Sequence, residues 1–245
     1  MNDMSPGGVH LRADLRINPE IDIPALQEVF RRDGHVRIER FLSSGAPDLY
    51  RHLCDSPDWI QLIKHDEGAH ELALSKWTSP RSRQRARIER AMYERARDGF
   101  QYSYSALRIP PPGEPSHDLY LTALATFMRS PEVMGVLGAI TGLDAPRFTD
   151  GQVTAYGPGD FLTGHDDDLA GSGRQAAFVL GLAPQWRPEW GGLLLFHEIG
   201  AVELSGVVPQ FNTLNLFSIP RYHSVSMVMP AAPRRRFAVT GWLST

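Results

Sequence analysis

The chain has 245 residues, 42% of them hydrophobic, which suits one large domain with a real core. A formal net charge of −3 supplies no general attraction to nucleic acid or to an anionic membrane, and neither is expected as a partner. The single cysteine, Cys54, excludes an intramolecular disulfide and fits a reducing cytoplasm, and no apolar run approaches the ~20 residues of a membrane helix.

Residues 1–22 mix Gly, Pro and charge and are expected to form a flexible arm; the polar stretch Met1–Gly8 lacks the apolar segment of a signal peptide. Leu26, Val29 and Phe30 recur at helical spacing, so a short helix is predicted over Ile23–Arg32, closed by Gly34. Val36–Phe41 alternates as a strand, and Ser43 or Ser44 can cap a helix over Ala46–Leu53. Trp59–Lys64 and Glu71–Ser75 are further strand candidates. Ser79–Arg97 is the most charged segment, with arginines at 81, 83, 85, 87, 90, 95 and 97. Ser79 and Pro80 suit a helix start, and Ile88 and Met92 form an inner stripe. Its charged face reads as a solvated surface with Glu89 and Glu94 as local partners. The sharper alternative is a basic edge that steers an acidic substrate.

Phe100–Ile109 places Tyr102 and Tyr104 on one strand face and stops at Pro110–Gly113. Leu119–Phe127 and Val133–Ile140 read as helices, the second started by Ser130 and Pro131. From Arg147 onward strands dominate, at about 149–156, 160–166, 174–182, 192–197, 201–208, 213–218, 224–228 and 235–243. Eight short antiparallel strands after helices predict an α+β chain, mainly β with helices. Its core is a double-stranded β-helix (jelly roll) with an N-terminal helical layer. The expected layout is an arm (1–22), a helical or mixed layer (23–147) and the jelly-roll core (148–245), as one structural domain.

The chemistry concentrates in that core. His165 and Asp167 stand two apart, and alternate side chains of an extended strand share a face. Of the acids at 166, 167 and 168, only Asp167 then lies beside His165. His223 opens a later strand and is the candidate third ligand; His197, at a strand end beside Glu198, is its rival. Two histidines and one carboxylate leave the opposite metal positions open, the facial triad of non-heme Fe(II) oxygenases. On the last strand Arg236, Ala238, Thr240 and Trp242 share one face. Phe237 and Val239 require burial on the other, so Arg236 turns into the barrel, where an unpaired charge is costly. Arg234 and Arg235 are expected at the strand's entrance.

Taken together these residues resemble a known family. The matching segments are Tyr-Gly-Pro-Gly-Asp-Phe-Leu-Thr-Gly-His-Asp-Asp (156–167), Leu-Ala-Pro-Gln-Trp (182–186), Trp-Gly-Gly-Leu-Leu-Leu-Phe (190–196), His-Ser-Val (223–225) and Arg-Phe-Ala-Val-Thr-Gly-Trp (236–242). The region from about Phe148 onward is similar to 2-oxoglutarate and Fe(II)-dependent dioxygenases of the prolyl-hydroxylase-like group, in their bacterial single-domain form.

The resemblance implies Fe(II) on His165, Asp167 and His223, with 2-oxoglutarate and O2 as cosubstrates and ascorbate as an optional accessory. It implies Arg236 on the cosubstrate's distal carboxylate and hydroxylation of a prolyl residue or proline-like small molecule, releasing succinate and CO2. Where the family often carries a cosubstrate-binding tyrosine, this chain has Gly181. Tyr156 and Thr240 are the expected substitutes, and Gly181 and Trp242 are assigned to the substrate pocket. The competing readings are a non-catalytic metal-binding jelly roll and a hydrolytic metalloenzyme using the same ligands.

Overall fold

Residues 14–65, 68–78, 83–114 and 116–245 are described by a computed structural model. The chain first runs β1 (Arg16–Ile17), α1 (Ile23–Asp33), β2 (His35–Glu39), β3 (Leu42–Ser44), α2 (Ala46–Asp55), β4 (Ile60–His65) and β5 (Gly68–Ala73). The single turn α3 (Leu74–Trp77), α4 (Arg83–Arg95), β6 (Tyr102–Arg108), α5 (Leu119–Met128) and α6 (Pro131–Thr141) follow. The remainder is β7 (Arg147–Tyr156), β8 (Phe161–His165), β9 (Arg174–Gly181), a 3₁₀ turn (Pro188–Trp190), β10 (Leu194–Phe196), β11 (Ser205–Val207), β12 (Thr213–Ser218), β13 (His223–Val225) and β14 (Arg236–Ser244).

Helix boundaries follow their caps. Asp22 accepts the Ala25 N–H at 3.1 Å to start α1, and Gly34 ends it with φ of 63°. Asp118 accepts two N–H groups at 2.9 Å to start α5, and Ser130 accepts that of Val133 at 3.3 Å to start α6. α2 departs from expectation, with Gly45 at the cap position. The Ser43 and Ser44 hydroxyls are already engaged, donating to the carbonyls of Ile17 and Asp14 at 3.0 and 2.8 Å. The same pairing of β1 with β3 pins the chain from Asp14 onward, in the stretch expected to be loose. The expected helix start at Ser79 and Pro80 lies outside the described residues.

Twelve strands form one antiparallel sheet in the order β11-β10-β13-β8-β6-β7-β14-β9-β12-β2, with β4 on β6 and β5 on β4. The sheet folds over on itself as a jelly roll. Leu194 and Phe196 of the short-stranded half pack on Ala177 and Phe217 of the long-stranded half. His35 and Phe196, from strands near opposite ends of the order, meet with ring centroids 4.6 Å apart. The outer face of the long strands, including Leu180, Leu214, Leu216 and Val239, is covered by Leu124, Met128, Leu137 and Ile140 of α5 and α6. Burial of each such side chain contributes about 1.5–3 kcal/mol.

Strands β2, β4, β5 and β6 belong to the sheet, so residues before 148 contribute strands to it as well as the helices laid upon it. α4 lies on the outer face, where Met92, with Ile88, packs against Ile63, Trp77 and Phe161. Among the described residues, no helix is long and apolar enough to cross a membrane.

Candidate metal centre

β8 and β13 pair so that His165 and His223 are Cα partners, and their rings lie 4.1 Å apart. The third side chain arrives differently from the strand argument. β8 ends at His165, and Asp167 sits beyond it in a left-handed conformation with φ of 60°. That turn, rather than strand alternation, brings its carboxylate to 3.4 Å from His165 Nε2 and 3.6 Å from His223 Nε2. Potential ligand atoms of the three all lie within 4.8 Å of one another, close enough to share one ion. Asp166 and Asp168 are exposed, and Asp166 accepts the Asp168 N–H at 3.1 Å in a local turn. The rival His197 instead meets the Ser224 hydroxyl at 3.0 Å.

The imidazoles are held in one tautomer. His165 Nδ1–H donates to the Thr163 carbonyl at 3.1 Å and His223 Nδ1–H to that of Arg221 at 2.8 Å. Both Nε2 lone pairs are therefore left toward Asp167, the arrangement a metal requires. Burial, then the neighbouring His165, lowers the His223 pKa to about 4, which keeps it uncharged and ligand-ready. At Asp167 burial alone would raise the pKa, but the groups around the carboxylate, the Trp242 indole N–H among them, outweigh it, and the net direction is down. Trp242 Nε1–H donates to Asp167 Oδ2 at 2.9 Å.

Arg236 is 4% exposed, and its Nε has no partner among the described residues. Burial lowers its pKa, partly offset by Tyr156, whose ring lies 5.1 Å from the guanidinium. The Gly191–Gly192 pair explains how the stem fits. A Cβ on Gly192, already at φ of 65°, would stand 3.1 Å from Arg236 Cδ.

A cavity of about 190 Å³ joins these groups, lined by the three potential ligands with Arg236, Tyr156, Thr240 and Trp242. Thr240 donates its hydroxyl to the Gln152 carbonyl at 3.2 Å. Gly181 is not in the lining. The Gln210 carbonyl lies 2.4 Å from where its Cβ would be, so backbone occupies the space expected to enlarge the pocket. Tyr104 and Gln152 are among the lining residues with no role assigned from sequence. Tyr104 stacks on Tyr156 at 5.2 Å and accepts a hydrogen bond from Gln152 Nε2 at 3.0 Å; burial pushes its pKa up to about 12, so the phenol keeps its proton. Its inward direction is readable from the alternation of Tyr102 and Tyr104; Gln152 carries no such mark. The described arginine side chains of α4 do not line this cavity, and Arg235 turns from the expected entrance to the outer face, donating to the Ser105 hydroxyl.

Residues 151–244 match the family model for the 2OG-Fe(II) oxygenase superfamily. This region is similar to that superfamily. Over 114 residues the chain is 32% identical to the Xenopus laevis prolyl 3-hydroxylase OGFOD1, a match covering 43% of this chain and 22% of that protein. The chain thus spans about a fifth of that relative's length. Among solved structures, a 2OG-Fe(II) oxygenase family oxidoreductase from Burkholderia pseudomallei superposes with a TM-score of 0.63 at 15% identity, covering 94% of this chain and 93% of its own. A Trichoplax adhaerens prolyl hydroxylase, in complex with a hypoxia inducible factor peptide fragment, gives 0.60 at 16% identity, covering 91% and 88%. At these identities the structural likeness speaks to the jelly-roll fold.

The superfamily uses Fe(II), 2-oxoglutarate and O2. The residues present fit both groups the chain would hold. Two imidazoles and a carboxylate converge on one point, and a buried guanidinium nitrogen lacks an acceptor among the described residues.

Proposed function

We propose that the chain is an Fe(II)- and 2-oxoglutarate-dependent oxygenase that hydroxylates a prolyl residue or a proline-like small molecule. The observation that carries the reading is one cavity containing both a three-ligand cluster and a buried arginine with no acidic partner among the described residues. His165, Asp167 and His223 hold the metal. The distal carboxylate of 2-oxoglutarate completes Arg236 as a charge-assisted pair. Iron and cosubstrate, when bound, supply the oxidising chemistry and yield succinate and CO2.

The chain's own part is positioning. The two backbone carbonyls fix the imidazole tautomers, the Trp242 indole aims the Asp167 carboxylate, and the protonated phenols of Tyr156 and Tyr104 offer donors inside the cavity. The prolyl assignment is supported by the names of the Xenopus and Trichoplax proteins. A hydrolytic enzyme or a non-catalytic metal module gives no reason for the buried Arg236.

The test is succinate formation from 2-oxoglutarate, with and without Fe(II), in the presence of prolyl peptides and free proline analogues. His165→Ala, Asp167→Ala and His223→Ala should each abolish it and weaken Fe(II) binding. Asp168→Ala and His197→Ala should retain both. Iron-independent turnover, or equal damage from His197→Ala, refutes the assignment.

A further inference from the structure

The inward face of the long-stranded sheet continues past the metal cavity. Gln152 and Trp242 border that cavity and also a second one of about 490 Å³. Size divides their roles. Ligand sites usually span about 300–1,000 Å³. The metal cavity falls below that range and suits a small diacid; the second falls within it. A peptide-sized substrate therefore has room beyond Gln152 and Trp242.

The lining of the second cavity is specific. Ile60 and Ala106, paired across β4 and β6, supply an apolar floor with Leu62. Two of its four charged lining residues are already paired. Arg108 pairs with Glu71, and Asp150 accepts from Arg174 Nη2 at 2.6 Å. Glu114, at the rim, is exposed.

Arg129 is different. It stands at the C-cap of α5 with its guanidinium 5.1 Å over the Phe148 ring. Its Nε is buried without a hydrogen-bond partner among the described residues. Burial lowers its pKa, and no neighbouring acid offsets that. It is thus a cation held in place beside an apolar floor, with donor capacity left over. The described arginine side chains of α4, which offered an alternative seat for acid attraction, line neither cavity.

We infer that the second cavity is the substrate cleft and that Arg129 selects a substrate carboxylate, while the reacting carbon reaches the metal cavity past Gln152 and Trp242. For a peptide this is an Asp or Glu side chain near the proline, or a free C-terminus. The inference rests on the oxygenase reading for what happens at the metal, but its binding test does not.

The full chain, loaded with Fe(II) and 2-oxoglutarate under anaerobic conditions, is titrated against fluorescent proline-centred peptides by anisotropy. The peptides carry Glu or its Gln twin beside the proline, each with a free or amidated C-terminus. The acidic form should bind at least ~10-fold tighter, a usual scale for one charge-assisted hydrogen bond. Whichever substitution removes the preference, Glu→Gln or amidation, identifies the carboxylate. Arg129→Gln should bring the ratio close to one and Arg129→Lys should restore part of it. Equal binding of all the peptides by the unmodified protein overturns the inference without recourse to any variant; so does a preference that survives Arg129→Gln. Admitting O2 separates the two readings. Acid-selective binding without peptide-stimulated succinate sinks the prolyl assignment and leaves the cleft standing. Stimulated succinate with no acid preference does the reverse.

Discussion

Arg235 and Arg236 are neighbours on the last stretch of chain, yet they belong to opposite sides of the sheet. Arg235 turns to the outer face. There it donates to Ser105 and to the Ala155 carbonyl, lies 5.6 Å over the Trp59 ring, and feels the Asp160 carboxylate. Arg236 turns into the cavity and meets a tyrosine ring, with its Nε unsatisfied. Both guanidiniums are desolvated, and burial lowers both pKa values. What separates them is whether the donors are met from within the protein. A met donor belongs to the fold; an unmet one, costly to bury, marks the place of a ligand.

The largest expected effect breaks this pair apart. Arg236→Ala removes one partner of a buried ion pair, worth about 3–5 kcal/mol. The 2-oxoglutarate requirement should rise two to three orders of magnitude, with thermal stability unchanged or improved. Arg235→Ala should do the opposite, lowering stability by about 1–3 kcal/mol through orphaned acceptors and sparing the 2-oxoglutarate KM. Equal rises in KM for both variants would erase the distinction between the faces.

A smaller effect is expected at Trp242, also on the cavity face. Trp242→Phe keeps the ring and removes the N–H that reaches Asp167 at 2.9 Å. Fe(II) affinity should fall about 10–100-fold, as for other groups that orient a ligand, measured by metal titration. An unchanged affinity would reduce Trp242 to cavity wall.

Stability against pH sharpens the comparison at His35. Burial, then Arg221, lowers its pKa from 6.5 to about 4 in the folded chain. Between those values the unfolded chain binds the proton and the folded one does not. Its contribution is complete above about 6.5 and lost as pH falls toward 4. Replacing His35 with Phe should flatten that acid limb in denaturant titrations. The smallest effect is expected on the outer face. Arg87→Glu with Arg90→Glu on α4 should leave the substrate constant and its salt dependence unchanged; a shift in either would return the steering role to that helix.

Much of the long-stranded half was legible because apolar alternation and turn residues are local signals. β7, β9, β12 and β14 fall within two residues of their expected limits. Where β2 belongs was not legible, because its partner β12 lies more than 170 residues away in sequence. The same distance hides Gly181, which is glycine because the Gln210 carbonyl passes across it. For the candidate site, the identity of Asp167 came from strand alternation, whereas its actual geometry is a left-handed turn that spacing cannot reveal. Arg129 gave no signal at all, since an arginine at the C-terminal end of a helix ordinarily answers the helix dipole.

That turn at Asp167 has a consequence for how the centre can change. His165 and His223 are locked opposite each other in one rung of the sheet, and moving either one disturbs backbone pairing. Asp167 hangs beyond the last rung on a single residue's torsion, steadied by an indole. Of the three, it is the one whose backbone lies outside the strand ladder. Reactivity at the centre is therefore adjustable through one hinge-like position, by natural drift or by a designer, with the two imidazoles remaining in place as a permanent chelating platform.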